Sequence, residues 1–541
     1  MIDASSPSRS GSSAVHAIGG LSAWRARAVS AGAGVLAATA FAPFYLLPLM
    51  AVGYSALVFL IDRAAAGQTP VRSAFGAGWL FGFGFHLVGL HWLAFAFMVQ
   101  AEEFAWMAPF AIVGMAAFLG LFFATAAAAA AAIWRPGPAR AVALAALVAL
   151  AEYARGHALT GLPWNLPAQA LAGLITTAQT AAWVGPYGLS FLALLMAVAP
   201  AAFAPKDFWT GNWRARFMGV SHGAAIALTG YAALFGAGAA RLGLLPAPAE
   251  QNAHVRIVQP NIPQREKIDP DLRTRNIAIA AALSKGDAAG SDGRLFVIWP
   301  ENAAPLIDED AYARQGVAEL LPQGANVIAG AVRRAVGDDG RWRVYNSISL
   351  LRTEDGDARV LGYYDKHHLA PFGEYLPLRP LITALGLSQL APYDEGFTAG
   401  SGPARISLGG PSFAPLICYE TIFPGALFPK NERPDWLVVV TNDAWFGDAA
   451  GPRQHLDQAR LRAIETGLPM ARAANTGISA LIDADGRYLD RIELYRRGVI
   501  DAPLPGARKP TVYATTGDWP ILISLMGLVA FCVWRSRSTT G

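Results

Sequence analysis

The sequence predicts a multi-span α-helical membrane domain, a soluble α/β domain after it, and one closing span. Three observations predict this. The chain of 541 residues is 54% hydrophobic and only 15% charged, too apolar for an ordinary soluble protein and too long for one domain. Its charge is uneven: fourteen Asp, Glu, Lys or Arg residues lie between Ser30 and Leu244, whereas from Gln251 to Ala507 charges recur as in a globular domain. An apolar tail, Ile521–Trp534, follows.

The elements follow in order. Residues 1–24 read as a disordered cytoplasmic arm, because Met1–Leu21 is polar and rich in Ser, Gly and Ala, with no cleavable signal peptide. A span needs about 20 mainly apolar residues. Seven candidates fill a membrane domain at 25–245: roughly 28–44, 46–62, 72–98, 106–133, 139–154, 178–203 and 217–240. An eighth lies at 518–534, within a C-terminal segment 516–536. Positive residues set the orientation. Arg25 and Arg27 precede the first span; Arg63 and Arg72, Arg135 and Arg140, and Lys206, Arg214 and Arg216 follow the second, fourth and sixth; Arg535 and Arg537 follow the last. About eight transmembrane helices with both termini inside is the consistent reading. It places residues 250–508 outside the cytoplasmic membrane.

The soluble part alternates short apolar runs with helical patterns. His254–Gln259, Leu295–Trp299, Asn326–Val332, Ser347–Arg352, Phe413–Cys418 and Trp436–Thr441 read as strands; Asp269–Leu283 and Gln454–Thr466 read as helices. Fully apolar runs of this length suit a sheet covered on both faces. A stretch of this size can bury its own core without staples. The only two cysteines, Cys418 and Cys532, lie in different parts of the chain, so a disulfide scaffold is excluded. No Cys/His spacing of a metal site is present. The net charge of +4 comes mainly from residues flanking spans, which gives no nucleic-acid patch.

Chemistry is concentrated at strand ends, where α/β sheets place their sites. Glu301 follows Trp299–Pro300, Lys366 and Glu374 lie in 363–378, and Cys418 ends an apolar run. A thiol needs a base to take its proton or a cation to stabilise its thiolate. Glu301 can be that base and Lys366 that cation, with a backbone N–H near Tyr419 as a second oxyanion donor. Cys, Glu and Lys together suit acyl transfer through a thioester. Taken singly, each has a plainer reading: a buried cysteine is usually a small core hydrophobe, and Glu301 could cap a helix. Other polar residues carry less. His86 and His91 read as structural, Glu152 as interfacial or functional, and Trp445 and Phe446 as pocket wall or core. Of His367 and His368, alternation allows at most one to reach the site.

The blocks WPEN (299–302), YYDKHHLAPFGEYLPL (363–378), ICYE (417–420), TNDAWFG (441–447) and RAANTGISALIDADG (472–486) resemble the nitrilase, or carbon–nitrogen hydrolase, superfamily. Together with VQPNIPQ (258–264), GLPWN (161–165), YATTGDWP (513–520) and seven preceding spans, the chain is similar to the apolipoprotein N-acyltransferase family over nearly its full length. The resemblance implies a nitrilase-like αββα sandwich at 250–508. It implies Glu301 as general base, Lys366 as the oxyanion lysine, Cys418 as nucleophile, and Glu374, Tyr419 and Glu420 as supporting residues. It further implies a phospholipid acyl donor such as phosphatidylethanolamine and a diacylglyceryl apolipoprotein as acceptor. No cofactor or metal is implied. The setting is the bacterial inner membrane, with the catalytic domain on the periplasmic side. Members often carry Trp after the NIPQ…K stretch; here Lys267 is followed by Ile268. A membrane-tethered amidase is the competing activity, but a simple tether needs one span, not seven.

Overall fold

The computed structural model describes residues 22–205, 208, 212–286, 294–377, 379, 384 and 396–538. The arm Met1–Leu21 and Lys206 lie outside them. Eleven strands are described, in two sheets. The first has the order β11-β1-β2-β3-β4-β5, with β1 His254–Gln259, β2 Leu295–Trp299, β3 Asn326–Val336, β4 Trp342–Glu354, β5 Asp357–Asp365 and β11 Gly498–Pro503. The second has the order β10-β9-β8-β7-β6, with β6 Phe413–Ile417, β7 Trp436–Thr441, β8 Met470–Ala474, β9 Ser479–Ile482 and β10 Tyr488–Ile492. The runs β1-β2-β3 and β6-β7-β8 are parallel.

Burial of both faces explains why β2 and β7 are almost wholly apolar. Phe296 and Ile298 of β2 join the core between the sheets, together with Trp436, Val438 and Val440 of β7. Leu295, Val297 and Trp299 turn the other way, onto helices Arg273–Leu283 and Ala311–Leu320. Leu437 and Val439 turn onto helix Ala450–Thr466. Both faces of each central strand are therefore covered, which gives four layers, α-β-β-α.

The strand readings at β1, β2 and β7 match the structure residue for residue. Three others differ. The β6 run stops at Ile417, and Cys418 opens a 3-10 turn, Cys418–Ile422. The predicted 326–332 and 347–352 are parts of a longer antiparallel pair, β3 and β4, whose polar outer ends hide the strand pattern. The helix predicted from Asp269 begins at Arg273, because Asp269 caps a 3-10 turn by accepting from Asp271 N at 2.9 Å.

In the other part of the chain, five described helices are long and apolar enough to cross a membrane: Leu47–Ala65, Ala101–Ala132, Ala181–Ala202, Trp213–Leu244 and Trp519–Ser538. Pro70–Gly89 with His91–Met98 makes a sixth if that pair, bent by 47°, is one span. Ala23–Ala38 has 16 residues, about 24 Å of helix against the ~30 Å core of a bilayer. Ala139–His157 carries Arg140, Glu152 and Arg155, all buried in ion pairs: Arg140 with Asp62 at 3.0 Å, and Arg155 with Glu152. Glu152 is therefore an interior residue. The predicted span 72–98 breaks after Gly89, and His91–Met98 bends away so that Trp92 packs on Phe446, with ring centroids 4.4 Å apart.

Candidate active site

The site is assembled from four chain segments, one of which carries Cys418. Glu301 lies two residues past β2 and is held close to the sheet by Gly330 of β3. A Cβ there would meet Pro300 O at 2.3 Å and Glu301 Cα at 2.5 Å. Lys366 follows β5, and its backbone is tied by Lys366 N donating to Asn346 O at 2.8 Å. Glu374 sits on the loop beyond and accepts from Ala370 N at 2.7 Å. Cys418 follows β6 with φ at +48°, a left-handed conformation uncommon for a non-glycine residue and tolerated where the surroundings fix it.

The charges form one buried cluster. Lys366 is 1% exposed, Glu301 6% and Glu374 8%. Lys366 Nζ lies 2.8 Å from Glu374 Oε2 and 3.8 Å from Glu301 Oε1. Asn346 Nδ2 donates to Glu301 Oε1 at 2.7 Å and to Glu374 Oε1 at 2.6 Å. Lys267 Nζ donates to the Glu301 carbonyl. Burial pushes the Glu301 carboxyl up; Lys366 opposes this and the Glu374 charge reinforces it. Burial also pushes the half-buried Cys418 thiol up, helped by the Glu301 charge and opposed by Lys366. Lys366 itself is raised: burial opposes its charge, but Glu374 and Glu301 outweigh burial. The cluster thus favours the charged form of Lys366 and the protonated forms of the Glu301 carboxyl and the Cys418 thiol. Lys267 is lowered to about 8, by burial first, against the charges of Glu301 and Cys418.

Glu420 is a framework residue. Its carboxylate accepts from Ile417 N at 2.8 Å, His367 N at 2.9 Å, His368 N at 3.2 Å and Tyr364 Oη at 3.0 Å, and pairs with the His367 ring at 2.7 Å. Burial raises its proton affinity, but these donors outweigh burial and lower it. It ties the β6 end to the chain just after Lys366. Tyr419 reaches the other part of the molecule: its hydroxyl donates to Gly161 O at 2.6 Å. That glycine has φ +73°, and a Cβ would meet Gly156 O at 2.2 Å. His368 Nε2 contacts Thr160 O at 2.7 Å, and its ring stacks on Phe423 at 3.9 Å. Neither His367 nor His368 lies in the Glu–Lys cluster. Trp445 is 37% exposed, outside the core, whereas Phe446 packs on Trp92 and Trp164. Ile268 is exposed.

Residues that sequence reasoning passed over complete the site. Asn346 bridges the two glutamates; its only signal was an amide in the strand pattern VYNSISL. On the other side of Cys418, His455 Nε2 lies 3.2 Å from Cys418 O and Nδ1 2.9 Å from Asp443 Oδ1. Arg472 Nη2 donates to Asp443 Oδ2 at 2.8 Å and Thr441 Oγ1 to Asp443 Oδ1 at 2.9 Å. Nothing local marks His455, since the contact spans 37 residues.

Residues 33–199 match the family model of the apolipoprotein N-acyltransferase N-terminal domain, and residues 254–508 that of carbon–nitrogen hydrolases. A Nesterenkonia amidase mutant from the nitrilase superfamily aligns with 51% of this chain and 98% of its own, at 18% identity and a TM-score of 0.33. The apolipoprotein N-acyltransferase of Bradyrhizobium diazoefficiens is 42% identical over 94% of this chain and 95% of its own. That of Rhodopseudomonas palustris is 39% identical over 95% and 96%. With identity at this level from end to end, the chain belongs to the apolipoprotein N-acyltransferase family.

Proposed function

We propose that the cluster around Cys418 carries a two-step acyl transfer from a phospholipid to the α-amine of a lipoprotein's N-terminal diacylglyceryl-cysteine, the last step of lipoprotein maturation. The observation that carries the reading is the convergence, from three strand ends, of the buried Glu301 and Lys366 with the half-buried Cys418. Cys418 Sγ attacks the donor ester carbonyl while Glu301 takes the thiol proton. Lys366 and the Tyr419 N–H stabilise the oxyanion. Collapse breaks the ester C–O bond, Glu301 protonates the leaving lysophospholipid alkoxide, and the acyl group stays on Cys418 as a thioester. The acceptor amine then attacks that thioester, Glu301 takes the amine proton, and the amide leaves as the thiol is restored. Glu374 and Asn346 hold Lys366 and Glu301 in place.

Phosphatidylethanolamine is the donor in this reading. An arrangement of about eight spans, the catalytic domain at 250–508 on the periplasmic side, and the closing span at 516–536 complete it. The charge pattern of the loops supports that orientation. Mass spectrometry of the purified protein after incubation with phosphatidylethanolamine tests the chemistry. An acyl adduct on Cys418, discharged by a diacylglyceryl peptide, is expected. No adduct, with ammonia released from small amides instead, overturns it.

A further inference from the structure

His455 faces two acceptors, Asp443 Oδ1 at Nδ1 and Cys418 O at Nε2. Arg472 Nη2 also lies 3.1 Å from Nδ1. Three protonation patterns are conceivable. With hydrogen on Nδ1 alone, the Nε2 lone pair meets the Cys418 carbonyl lone pairs, which is repulsive. With both nitrogens protonated, each acceptor receives a hydrogen. With Nε2 alone protonated, Nδ1 can accept from Arg472 but turns its lone pair on Asp443 Oδ1, 2.9 Å away. Meeting both acceptors takes a hydrogen on each nitrogen, and the one on Nε2 is aimed at the Cys418 carbonyl.

That carbonyl shares one planar trans peptide with the Tyr419 N–H, and the two point to opposite edges. Tyr419 is the second residue of the turn Cys418–Ile422, where the leading N–H groups have no partner within the turn. A donor on the carbonyl edge polarises the peptide and strengthens the N–H on the other edge. It also pins the left-handed backbone at Cys418. The ring is fully buried, flanked by Trp164 at 5.6 Å and Phe446 at 6.2 Å, and anchored by Asp443.

We propose that His455 is a positioning residue for the acyl transfer. Through the Cys418 carbonyl it fixes the nucleophile's backbone and presents the Tyr419 N–H to the oxyanion. The proposal rests on the acyl-thioester reading above. It separates two reactions of one thiol. Thioester formation from an ester passes through an oxyanion; alkylation by iodoacetamide does not. Both are measured on full-length protein in a Cys532→Ala background, so that Cys418 is the remaining thiol.

For His455→Leu, thioester formation from phosphatidylethanolamine should fall about 10- to 100-fold in kcat, below the loss of a direct oxyanion donor. KM and the alkylation rate should stay within about threefold. His455→Gln, whose amide can still donate to the carbonyl, should recover most of the loss. A wild-type thioester rate in His455→Leu overturns the proposal, as does a parallel fall of both reactions or a Gln variant no better than Leu. If His455→Leu is not recovered folded, Asp443→Asn, which weakens the ring's anchor, is read in the same way. Wild-type protein that forms no thioester sinks the acyl-transfer reading itself. A wild-type thioester with unaffected variants sinks only the role of His455.

Discussion

Two buried charged clusters flank Cys418, and they are built to opposite ends. On one side, at the ends of β2 and β5, Glu301 and Glu374 share one lysine and one asparagine. On the other, at the end of β7, the single carboxylate of Asp443 receives Arg472, His455 and Thr441. Burial raises proton affinity in both. In the first, a second carboxylate adds to that push and Glu301 stays raised. In the second, Arg472 and the other donors outweigh burial and hold Asp443 at about 2. The number of donors per carboxylate thus decides whether a buried acid can exchange protons or serves only as a fixed anion.

That contrast can be broken most decisively at Cys418, between the clusters. Cys418→Ala should abolish transfer in a membrane assay with protein that still folds, and Cys532→Ala should leave activity unchanged. Measurable transfer by the Ala variant removes Cys418 from the reaction. Next comes the fixed cluster. Arg472→Met leaves Asp443 buried without its main partner, which typically costs about 3–5 kcal/mol of stability; the thermal unfolding midpoint reports it. An unchanged midpoint means that the pair carries no structural weight.

The exchangeable cluster should respond in rate instead. Lys366→Met should slow thioester formation by about 100- to 1000-fold. Its stability loss should be smaller than that of Arg472→Met, because Glu301, already raised by burial, can take up a proton. Glu301→Gln should likewise block thioester formation. A Met or Gln variant acylated at the wild-type rate contradicts the role assigned to that residue.

The smallest effects are in pH. Glu301 must be ionised to act as base, so thioester formation should fall as pH drops through a value above the ordinary carboxylate range near ~4.3. Glu374→Gln removes the neighbouring charge that raises Glu301, and should move this limb to lower pH. Asp443 has the opposite sign. Its folded value lies below the unfolded one, so its stabilisation is complete above about 4 and is lost as pH falls toward 2. A limb that stays put in Glu374→Gln shows that the two glutamates do not interact as their shared partners imply.

The sequence by itself determined what depends on composition, periodicity and local order. The apolar runs at β2 and β7 had to be covered strands, because each buries both faces. Glu301, Lys366 and Cys418 sit at strand ends that are visible as the stops of apolar or patterned runs. Tertiary structure decided the rest. The bend after Gly89 is set by docking onto Phe446, more than 350 residues away, and no local signal in an unbroken apolar run reports it. Asn346, Asp443, His455 and Arg472 became site residues only when β4, β7, β8 and helix Ala450–Thr466 met at Cys418. Glu420 and Tyr419 keep their place beside the nucleophile, yet one ties the site's own loops together and the other reaches Gly161. A buried polar side chain takes its role from the donors and acceptors around it, and those arrive from distant parts of the chain.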